Sequence, residues 1–287
     1  MRPPRLAARE ESDVLRRCVE ALDPEAPADY RALAALLACK WARSRPRRVG
    51  LAGGQGAGKS TLGALIESAC SALGLRACVL GLDDFYLGVE ARRSLAARIH
   101  PLFETRGPPG THDVAYCREA ILALGSPGPV KLPRFDKGLD DRVGTRLVEG
   151  PQDIVVLEGW CVGAEAVDEE ALEEPINSLE RDEDRGGDWR RYVNTQLAGD
   201  YRALYRMLDQ SVFLQVPNLH AVRRWRGEQE RDRPPERRLD APGIDRFVQH
   251  FERVTLSMLA CSPGNAEVTV RLAEDHSVAA IQFREGV

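Results

Sequence analysis

One stretch of eight residues, at positions 53–60, constrains the fold of this chain more than any other. It reads Gly-Gly-Gln-Gly-Ala-Gly-Lys-Ser and fits the phosphate-binding pattern G-x-x-x-x-G-K-[ST]. Residues 48–52 form a short, mostly apolar run that predicts a buried strand, and residues 61–73 carry apolar side chains at helical spacing. A strand, a glycine-rich loop and a helix in this order predict a P-loop nucleotide site.

The residue types of this loop suit a triphosphate. Glycines let the backbone curl so that successive N–H groups face the phosphate oxygens, and the N-terminus of the following helix adds a positive end. We expect Lys59 to reach the β- and γ-phosphates and the Ser60 hydroxyl to bind Mg²⁺. The predicted nucleotide-binding residues are Gly53, Gly54, Gln55, Gly56, Ala57, Gly58, Lys59, Ser60 and Thr61.

The composition is that of a globular protein and argues against several kinds of partner. Hydrophobic residues make up 43% of the 287 residues, charged residues make up 29%, and the net charge is −4. Such a chain has no global basic field for nucleic acid, and no apolar run is long enough for a membrane helix. The seven cysteines include no C-x-x-C pair, which favours reduced thiols. We therefore expect a cytoplasmic protein without nucleic-acid or membrane partners, acting as a monomer or homodimer.

Two further predicted strands end in acids. The strand at residues 77–82 is followed by Asp83 and Asp84, and a later apolar run ends in Glu158. In a parallel sheet the carboxyl ends of the strands face one crevice, so these acids should lie beside the P-loop. Asp83 is the candidate base, and Glu158 with Ser60 forms the candidate metal site. Capping by Asp83 or Asp84 and a salt bridge by Glu158 are the structural alternatives.

The segments between these strands supply candidates for binding a second substrate. Residues 100–113 are rich in Pro and Gly and predict an irregular, substrate-facing loop. Residues 130–136 alternate in polarity, and Pro133 restricts such a strand to a sheet edge. An ordinary ion pair is the alternative for Arg106, and a structural hydrogen bond is the alternative for His112. The candidate acceptor-binding residues are Asp83, Tyr86, Arg106, His112, Arg134 and Lys137.

We divide the chain into a helical N-terminal preface, residues 1–46, and a main domain, residues 47–287. The preface shows no residues with evident chemistry, and we expect it to pack on the edge of the sheet. Residues 164–193 are rich in acids and predict an exposed, partly helical insertion in the main domain.

An arginine-rich stretch at about 219–238 follows a predicted core strand. We interpret it as a lid whose arginines close over the phosphates, and a solvated helix with the same charges is the alternative. A helix at 247–259 and a strand pair at 267–272 and 278–283 complete the predicted chain.

Among P-loop proteins, these pieces favour a small-molecule kinase. A GTPase would carry an N-K-x-D or T-K-x-D element that reads guanine, and the sequence contains neither. A kinase needs a base, a metal site, a lid and positive groups for an anionic acceptor, and each has a candidate here. A nucleotide-binding regulatory module with little turnover is the alternative class.

Several motifs resemble a known group of enzymes. Residues 53–61 together with Leu82-Asp-Asp-Phe-Tyr86 resemble the superfamily of phosphoribulokinase, uridine kinase and pantothenate kinase. A fuller set of motifs is similar to the D-glycerate 3-kinase family. That set comprises Arg106-Gly-Pro-Pro-Gly-Thr-His-Asp113, Pro133-Arg-Phe-Asp-Lys137, Leu157-Glu-Gly-Trp160, Val193-Asn194 with Leu197 and Tyr201, and Trp225-Arg226 with Glu230.

The resemblance implies a three-layer α/β P-loop NTPase fold, with a mostly parallel sheet between helices, a helical N-terminal preface and a mobile lid. It implies transfer of the γ-phosphoryl group of ATP, with Mg²⁺, to a hydroxyl of a small molecule. The leading hypothesis is conversion of D-glycerate to 3-phospho-D-glycerate, and a nucleoside, pantothenate or another sugar acid is the alternative acceptor. By resemblance, Asp83 activates the acceptor and Arg226 is the lid arginine, with Arg223 or Arg224 assisting. The predicted catalytic residues are Asp83, Lys59, Arg226 and Glu158.

Overall fold

A mostly parallel sheet of six strands forms the centre of the molecule. The computed structural model describes residues 8–231 and 238–284, with side chains from residue 11 onward. The strands are β1 (Arg48–Gly53), β2 (Ala77–Gly81), β3 (Gly128–Asp136), β4 (Asp141–Gly150), β5 (Ile154–Gly159), β6 (Gln210–Gln215), β7 (Val268–Leu272) and β8 (Val278–Phe283). The order in the main sheet is β2-β5-β1-β6-β7-β8, in which the first five strands are parallel and β8 is antiparallel to β7.

Helices cover both faces of this sheet. They are α1 (Ala8–Glu20), α2 (Ala28–Ser44), α3 (Lys59–Ala72), α4 (Val89–Arg98), α5 (Val114–Ala123), α6 (Ser178–Glu183), α7 (Asp188–Gln196), α8 (Arg202–Tyr205), α9 (Leu219–Arg231) and α10 (Ala241–Asn265). Shorter helical turns lie at Leu82–Phe85, Pro101–Glu104, Glu169–Leu172 and Leu197–Tyr201. Within the described ranges, no helix is both long and apolar enough to cross a membrane.

Two hydrophobic cores lie on opposite faces of the sheet. Side chains alternate along a strand, so Val49 and Leu51 of β1 pack with α2 and α3 on one face. Ala52 of the same strand belongs to the other core, with Cys117 of α5 and Met258 of α10. Strands buried on both faces are expected to be continuous apolar runs, as the sequence showed for β1 and β5. The predicted three-layer α/β fold is confirmed.

The N-terminal helices share a core with the nucleotide-binding part of the sheet. Tyr30, Leu33 and Trp41 of α2 are buried together with residues of β1 and α3. α2 packs mainly on α3, over a face of the sheet, and it also reaches the edge strand β8, where Asp29 accepts a hydrogen bond from the Val278 N–H. The expected position at the sheet's edge therefore describes only this second contact. The apolar side chains of α2 pack against those of α3. The boundary between preface and main domain at residue 46 stays a prediction.

The predicted strand at 130–136 belongs to a separate hairpin. It lies in β3, which pairs antiparallel with β4 outside the main sheet. Both strands of a two-stranded sheet are edges, so the edge position expected from Pro133 is confirmed. The sequence analysis did not predict β4 or α4. Most β4 side chains are half-buried or exposed, so the strand lacks the apolar run that marks β1 and β5.

The acidic segment at 164–193 is partly helical, as expected, but the expected exposure is wrong for several of its charged residues. Glu180 of α6 is fully buried, at 0% exposure, and pairs with Arg253 of α10 at 2.5 Å. Asp184 is 1% exposed and pairs with Arg190 at 3.0 Å. Buried charges persist when they are paired and hydrogen-bonded. These acids therefore fasten the segment to the fold.

Candidate active site

A cavity of about 910 Å³ opens where β1, β2 and β5 end. Ligands of open α/β sheets bind at the carboxyl ends of the strands, so this is the expected place for a functional site. P-loop residues in its wall are Gln55, Gly56, Gly58, Lys59, Ser60 and Thr61. Further predicted site residues in the wall are Asp83, Tyr86, Arg106, Lys137, Glu158 and Arg226. The sheet thus brings most of the sequence-predicted residues to one cavity.

The phosphate-binding loop has a backbone that requires glycine at two positions. Gly56 and Gly58 have φ values of 77° and 76°, in the left-handed region. A Cβ atom on Gly56 would lie 2.6 Å from the Cβ of Trp225 on α9. The loop therefore packs directly on α9. Three further residues of the loop are buried: Gly53, Gly54 and Ala57.

Lys59 is the first residue of α3, and its side chain folds back over the P-loop. Its Nζ atom donates hydrogen bonds to the carbonyl oxygens of Gly53 and Gly54, at 2.9 and 3.0 Å. Burial lowers the pKa of Lys59, while attraction by Glu158 and Asp83 raises it. The ammonium group is therefore held between the loop and the acids that end β2 and β5.

Ser60 and Glu158 form the candidate metal site. The Ser60 hydroxyl donates a hydrogen bond to Oε1 of Glu158 at 2.8 Å, so the two predicted ligands are in contact. Within the described residues, no group of three or more His, Cys, Asp or Glu side chains could hold a metal ion. Mg²⁺ at phosphate sites uses one or two protein ligands together with phosphates and water, so a single hydroxyl–carboxylate pair fits it.

Asp83 lies in the helical turn that follows β2, and its carboxylate is paired with the side chain of Lys137. Its Oδ2 atom lies 2.7 Å from Nζ of Lys137. Burial raises the pKa of the Asp83 carboxyl, but attraction and hydrogen bonding by Lys137, with a smaller contribution from Tyr86, bring it down to about 2. Asp83 is therefore ionised at neutral pH. Its Oδ1 atom is buried and has no hydrogen-bond partner among the described residues.

Arg106 is held beside the same pair of residues. It forms an ion pair with Asp140, which also pairs with the buried Arg92. Its Nη2 atom donates to the carbonyl oxygen of Lys137 at 3.1 Å. The ion pair that was the structural alternative for Arg106 exists, and the side chain also lines the cavity. Arg106 and Lys137 thus present two cations next to Asp83.

His112 does not line the cavity formed by the described residues, although the sequence analysis included it among acceptor-binding candidates. Its ring is stacked on Tyr86, with centroids 4.3 Å apart, and its Nδ1 atom lies 2.6 Å from the Tyr201 hydroxyl. Burial lowers the pKa of His112 to about 4, so the ring is neutral at pH 7. A structural hydrogen bond, the alternative for His112, is what the structure contains, and the ring packs on the side of Tyr86.

Arg134 is also outside the cavity wall. It is exposed on β3 of the hairpin, opposite Gly144 of β4. Adjacent residues of a strand point to opposite faces, so residues of β3 cannot all turn toward one site. Lys137, beyond the end of β3, reaches the cavity instead. The structure therefore does not bring Arg134 into this cavity, and its contact with an acceptor stays a prediction.

The arginine-rich stretch contains α9, and its arginines differ in position. Arg226 lines the cavity, is paired with the buried Glu230 one turn further along α9, and has its guanidinium carbon 4.5 Å from the centroid of the Phe247 ring. Arg223 pairs with acids on α10, and Arg224 pairs with acids on α9 and in the turn after β7. Residues 232–237 of the predicted lid lie outside the described residues.

Several parts of the cavity wall were not predicted from the sequence, including part of α10 and two segments from opposite ends of the chain. One is the start of α2, where Asp29 and Tyr30 line the cavity. The other is the turn between β7 and β8, at residues 275–278. Neither carries a short motif, and each reaches the site through packing between distant parts of the chain. The Asp29 carboxylate joins them by accepting a hydrogen bond from the Val278 N–H at 2.6 Å.

The chain is similar in sequence to two proteins that are named as kinases. It is 32% identical over 198 residues to "Uncharacterized kinase mug58" of Schizosaccharomyces pombe, an alignment that covers 65% of this chain and 70% of that protein. It is 27% identical over 198 residues to the chloroplastic D-glycerate 3-kinase of Arabidopsis thaliana, covering 64% of this chain but 41% of that enzyme. No family model matches the chain.

A solved structure shares the fold. The D-glycerate 3-kinase of Cryptococcus neoformans superposes with a TM-score of 0.69 at 22% identity, over 96% of each chain. At this identity the superposition is evidence for the fold, and the sequence relatives carry the assignment to a family. The chain is a small-molecule kinase with a P-loop fold and belongs to one family with the kinase mug58, while its likeness to D-glycerate 3-kinases is that of a sequence relative.

Proposed function

We propose that the protein transfers the γ-phosphoryl group of ATP, with Mg²⁺, to D-glycerate and forms 3-phospho-D-glycerate. The observation that carries this proposal is the cluster of Asp83, Lys137 and Arg106 in the cavity of the P-loop. A hydroxy acid needs an anion to orient its hydroxyl and cations to bind its carboxylate, and the cluster supplies both. The names of two relatives, each a D-glycerate 3-kinase, support the same acceptor.

The acceptor would lie between the cations and the P-loop. Its carboxylate would bind Lys137 and Arg106, and this exchange would release Asp83 from its pairing with Lys137. Paired with Lys137, Asp83 is ionised at neutral pH, and loss of that pairing raises its pKa and makes it a stronger base. Asp83 can then accept a hydrogen bond from the hydroxyl and orient the oxygen toward the γ-phosphorus. A bond from that oxygen to phosphorus forms, the bond between the γ-phosphorus and the β–γ bridging oxygen breaks, ADP leaves, and the hydroxyl proton passes to Asp83.

Two basic side chains would stabilise the charge on the transferred group. Lys59 is positioned at the end of the P-loop, and Arg226 lines the cavity from α9. Preorganised cations in a partly enclosed site stabilise developing negative charge more than they would in water. Ser60 and Glu158 would hold Mg²⁺, which when bound neutralises phosphate oxygens.

The acceptor is tested by measuring ADP release with ATP and Mg²⁺. The panel contains D-glycerate, L-glycerate, pantothenate and uridine, with a reaction lacking any acceptor as background. We expect a rate with D-glycerate well above the background and above the other three compounds. Turnover on pantothenate or uridine alone would support a small-molecule kinase and refute D-glycerate as its acceptor. Turnover on both glycerate enantiomers alike would show that the site reads the carboxylate but not the configuration.

The cellular setting is part of this proposal. We infer a cytoplasmic enzyme that binds ATP and a small-molecule acceptor and acts as a monomer or homodimer. Of the seven cysteines, Cys18, Cys70, Cys78, Cys117 and Cys161 are buried free thiols in the structure, in keeping with a reducing compartment. Size-exclusion chromatography with light scattering gives the oligomeric state directly.

A further inference from the structure

Tyr30, in the first turn of α2, is in direct contact with the phosphate-binding loop. Its side chain is 4% exposed, and its hydroxyl donates a hydrogen bond to the carbonyl oxygen of Ala57 at 2.9 Å. The two residues are 27 positions apart in the sequence. This bond therefore joins a helix outside the predicted kinase domain to the middle of the P-loop.

The bond fixes the orientation of one peptide group. The Ala57–Gly58 peptide is trans, so its C=O and its N–H point in opposite directions. Because the C=O is turned toward the Tyr30 hydroxyl, the N–H of Gly58 points away from that hydroxyl. Gly58 lines the cavity, so this N–H is a candidate donor to phosphate oxygens bound there.

The contact is close on both sides of this peptide. A Cβ atom on Gly58 would lie 2.7 Å from the Tyr30 hydroxyl oxygen, so only glycine lets the ring pack against the loop. The positive φ of 76° at Gly58 also disfavours any other residue there. The loop and the tyrosine ring thus restrict one another.

The start of α2 is itself anchored to the sheet. Asp29 accepts hydrogen bonds from the Tyr30 N–H at 2.9 Å and from the Val278 N–H at 2.6 Å. The second bond ties the helix to the first residue of β8. Burial raises the pKa of Tyr30 to about 12, so the phenol stays protonated and remains a donor. Tyr30 is therefore a fixed support and not a mobile side chain.

We propose that Tyr30 is a positioning residue for the nucleotide site, which holds the Ala57–Gly58 peptide so that the Gly58 N–H is presented to the phosphates of the nucleotide. Without the hydroxyl, the Ala57 carbonyl would lose a buried partner, and the peptide would be free to rotate toward the cavity. The inference depends on the P-loop and not on the identity of the acceptor.

The test is the variant Tyr30→Phe, which keeps the ring and removes only the donor. We expect the Kd for ADP, measured by isothermal titration calorimetry, to rise about three- to tenfold, the effect of one lost hydrogen bond. The Kd for adenosine, which has no phosphate, should stay within about twofold, a change too small to represent a lost contact. The KM for ATP should rise in parallel with the Kd for ADP, whereas kcat at saturating ATP should change less.

Trp41→Phe is the matched control. Trp41 is 1% exposed on the same helix and packs in the same core, and its indole N–H has no hydrogen-bond partner among the described residues. This variant removes more buried volume than Tyr30→Phe but leaves the P-loop contact intact. We expect it to lower the melting temperature and to leave the Kd for ADP unchanged.

Three results would overturn the inference. The first is an unchanged Kd for ADP in folded Tyr30→Phe. The second is an equal loss of ADP and adenosine binding, which would show a general disturbance of the site. The third is an equal rise of the Kd for ADP in Trp41→Phe, which would assign the effect to loosening of α2. The Kd measurements with ADP and adenosine need no acceptor, so they test the role of Tyr30 even if the acceptor proposal fails.

Discussion

The Nζ atom of Lys137 lies 2.7 Å from Oδ2 of Asp83, so the proposed acceptor-binding cation is paired with the proposed activating acid. Lys137 follows the end of β3 on a hairpin outside the main sheet, whereas Asp83 follows β2 inside it. The pair therefore joins the hairpin to the main sheet within the wall of the cavity. An anionic acceptor would exchange this pairing for its own contact with Lys137.

The first prediction concerns Lys137→Met. Loss of a charged contact to the acceptor carboxylate should raise the KM for D-glycerate about ten- to hundredfold, with a change of less than about threefold in the KM for ATP. Steady-state kinetics with each substrate varied in turn measures both. Lys131→Met, on an exposed position of the same hairpin, is the control and should leave both constants unchanged. An unchanged KM for D-glycerate in Lys137→Met would remove Lys137 from the acceptor site.

The same variant should alter the pH profile. Lys137 is the main group that lowers the pKa of Asp83, and the burial that raises this pKa remains when the lysine is lost. The folded-state pKa of Asp83 should therefore rise, and the acid limb of kcat/KM should move to higher pH. An acid limb at the same pH in the wild type and in Lys137→Met would show that Asp83 does not control it.

The second prediction compares two neighbouring acids. Asp83→Asn should lower kcat about 10²- to 10⁴-fold while ADP still binds, because the amide cannot take the proton of the hydroxyl. Asp84 also lines the cavity, but one of its carboxylate oxygens accepts a hydrogen bond from the Phe135 N–H at 3.4 Å. Asp84→Asn should therefore cost less than about tenfold in kcat, the value of one neutral hydrogen bond. The reverse order of the two effects would reassign the base to Asp84.

The third prediction separates the arginines of α9. Arg226 lines the cavity, so Arg226→Met should lower kcat by about 10³-fold or more, as expected for an arginine that stabilises the transferred phosphoryl group. Arg224 is paired with Glu228 and Glu274. Arg224→Met should leave kcat within about twofold, because a surface ion pair contributes about 0–1 kcal/mol to stability and nothing to the transferred group. Equal effects of the two substitutions would refute this distinction.

The fourth prediction concerns stability. Arg253→Met would leave Glu180, which is 0% exposed, without its partner, and should lower the free energy of unfolding by about 3–5 kcal/mol. Arg246→Met, on the same helix, removes an exposed ion pair with Glu183 and should cost about 0–1 kcal/mol. Urea denaturation followed by circular dichroism measures both. Similar losses would mean that the buried pair contributes no more than the exposed one.

The P-loop and the acid at the end of β5 could be predicted from the sequence, because phosphate and metal binding require particular residue types at these positions. Gly56 and Gly58 need positive φ, Lys59 and Ser60 follow them at fixed spacing, and Glu158 ends an apolar strand. These features are local, so they are visible in a single stretch of sequence. The fold class follows from the same stretches, because alternating strands and helices favour a parallel sheet.

The features that the sequence analysis missed depend on packing between distant residues. Tyr30 looks like an ordinary core residue until α2 is placed on α3 beside the P-loop. Glu180 has the sequence appearance of a solvated acid, and its partner Arg253 is 73 residues away. His112, in a loop rich in Pro and Gly, is buried because Tyr86 and Tyr201 close around it.

The most direct test of the proposed reaction is the identity of its product. Wild-type protein is incubated with ATP, Mg²⁺ and D-glycerate, and the mixture is followed by ³¹P NMR, with Asp83→Asn as the inactive control. The account predicts one new phosphomonoester resonance that coincides with added 3-phospho-D-glycerate and grows in step with ADP. Formation of 2-phospho-D-glycerate, or of ADP with inorganic phosphate alone, would contradict it.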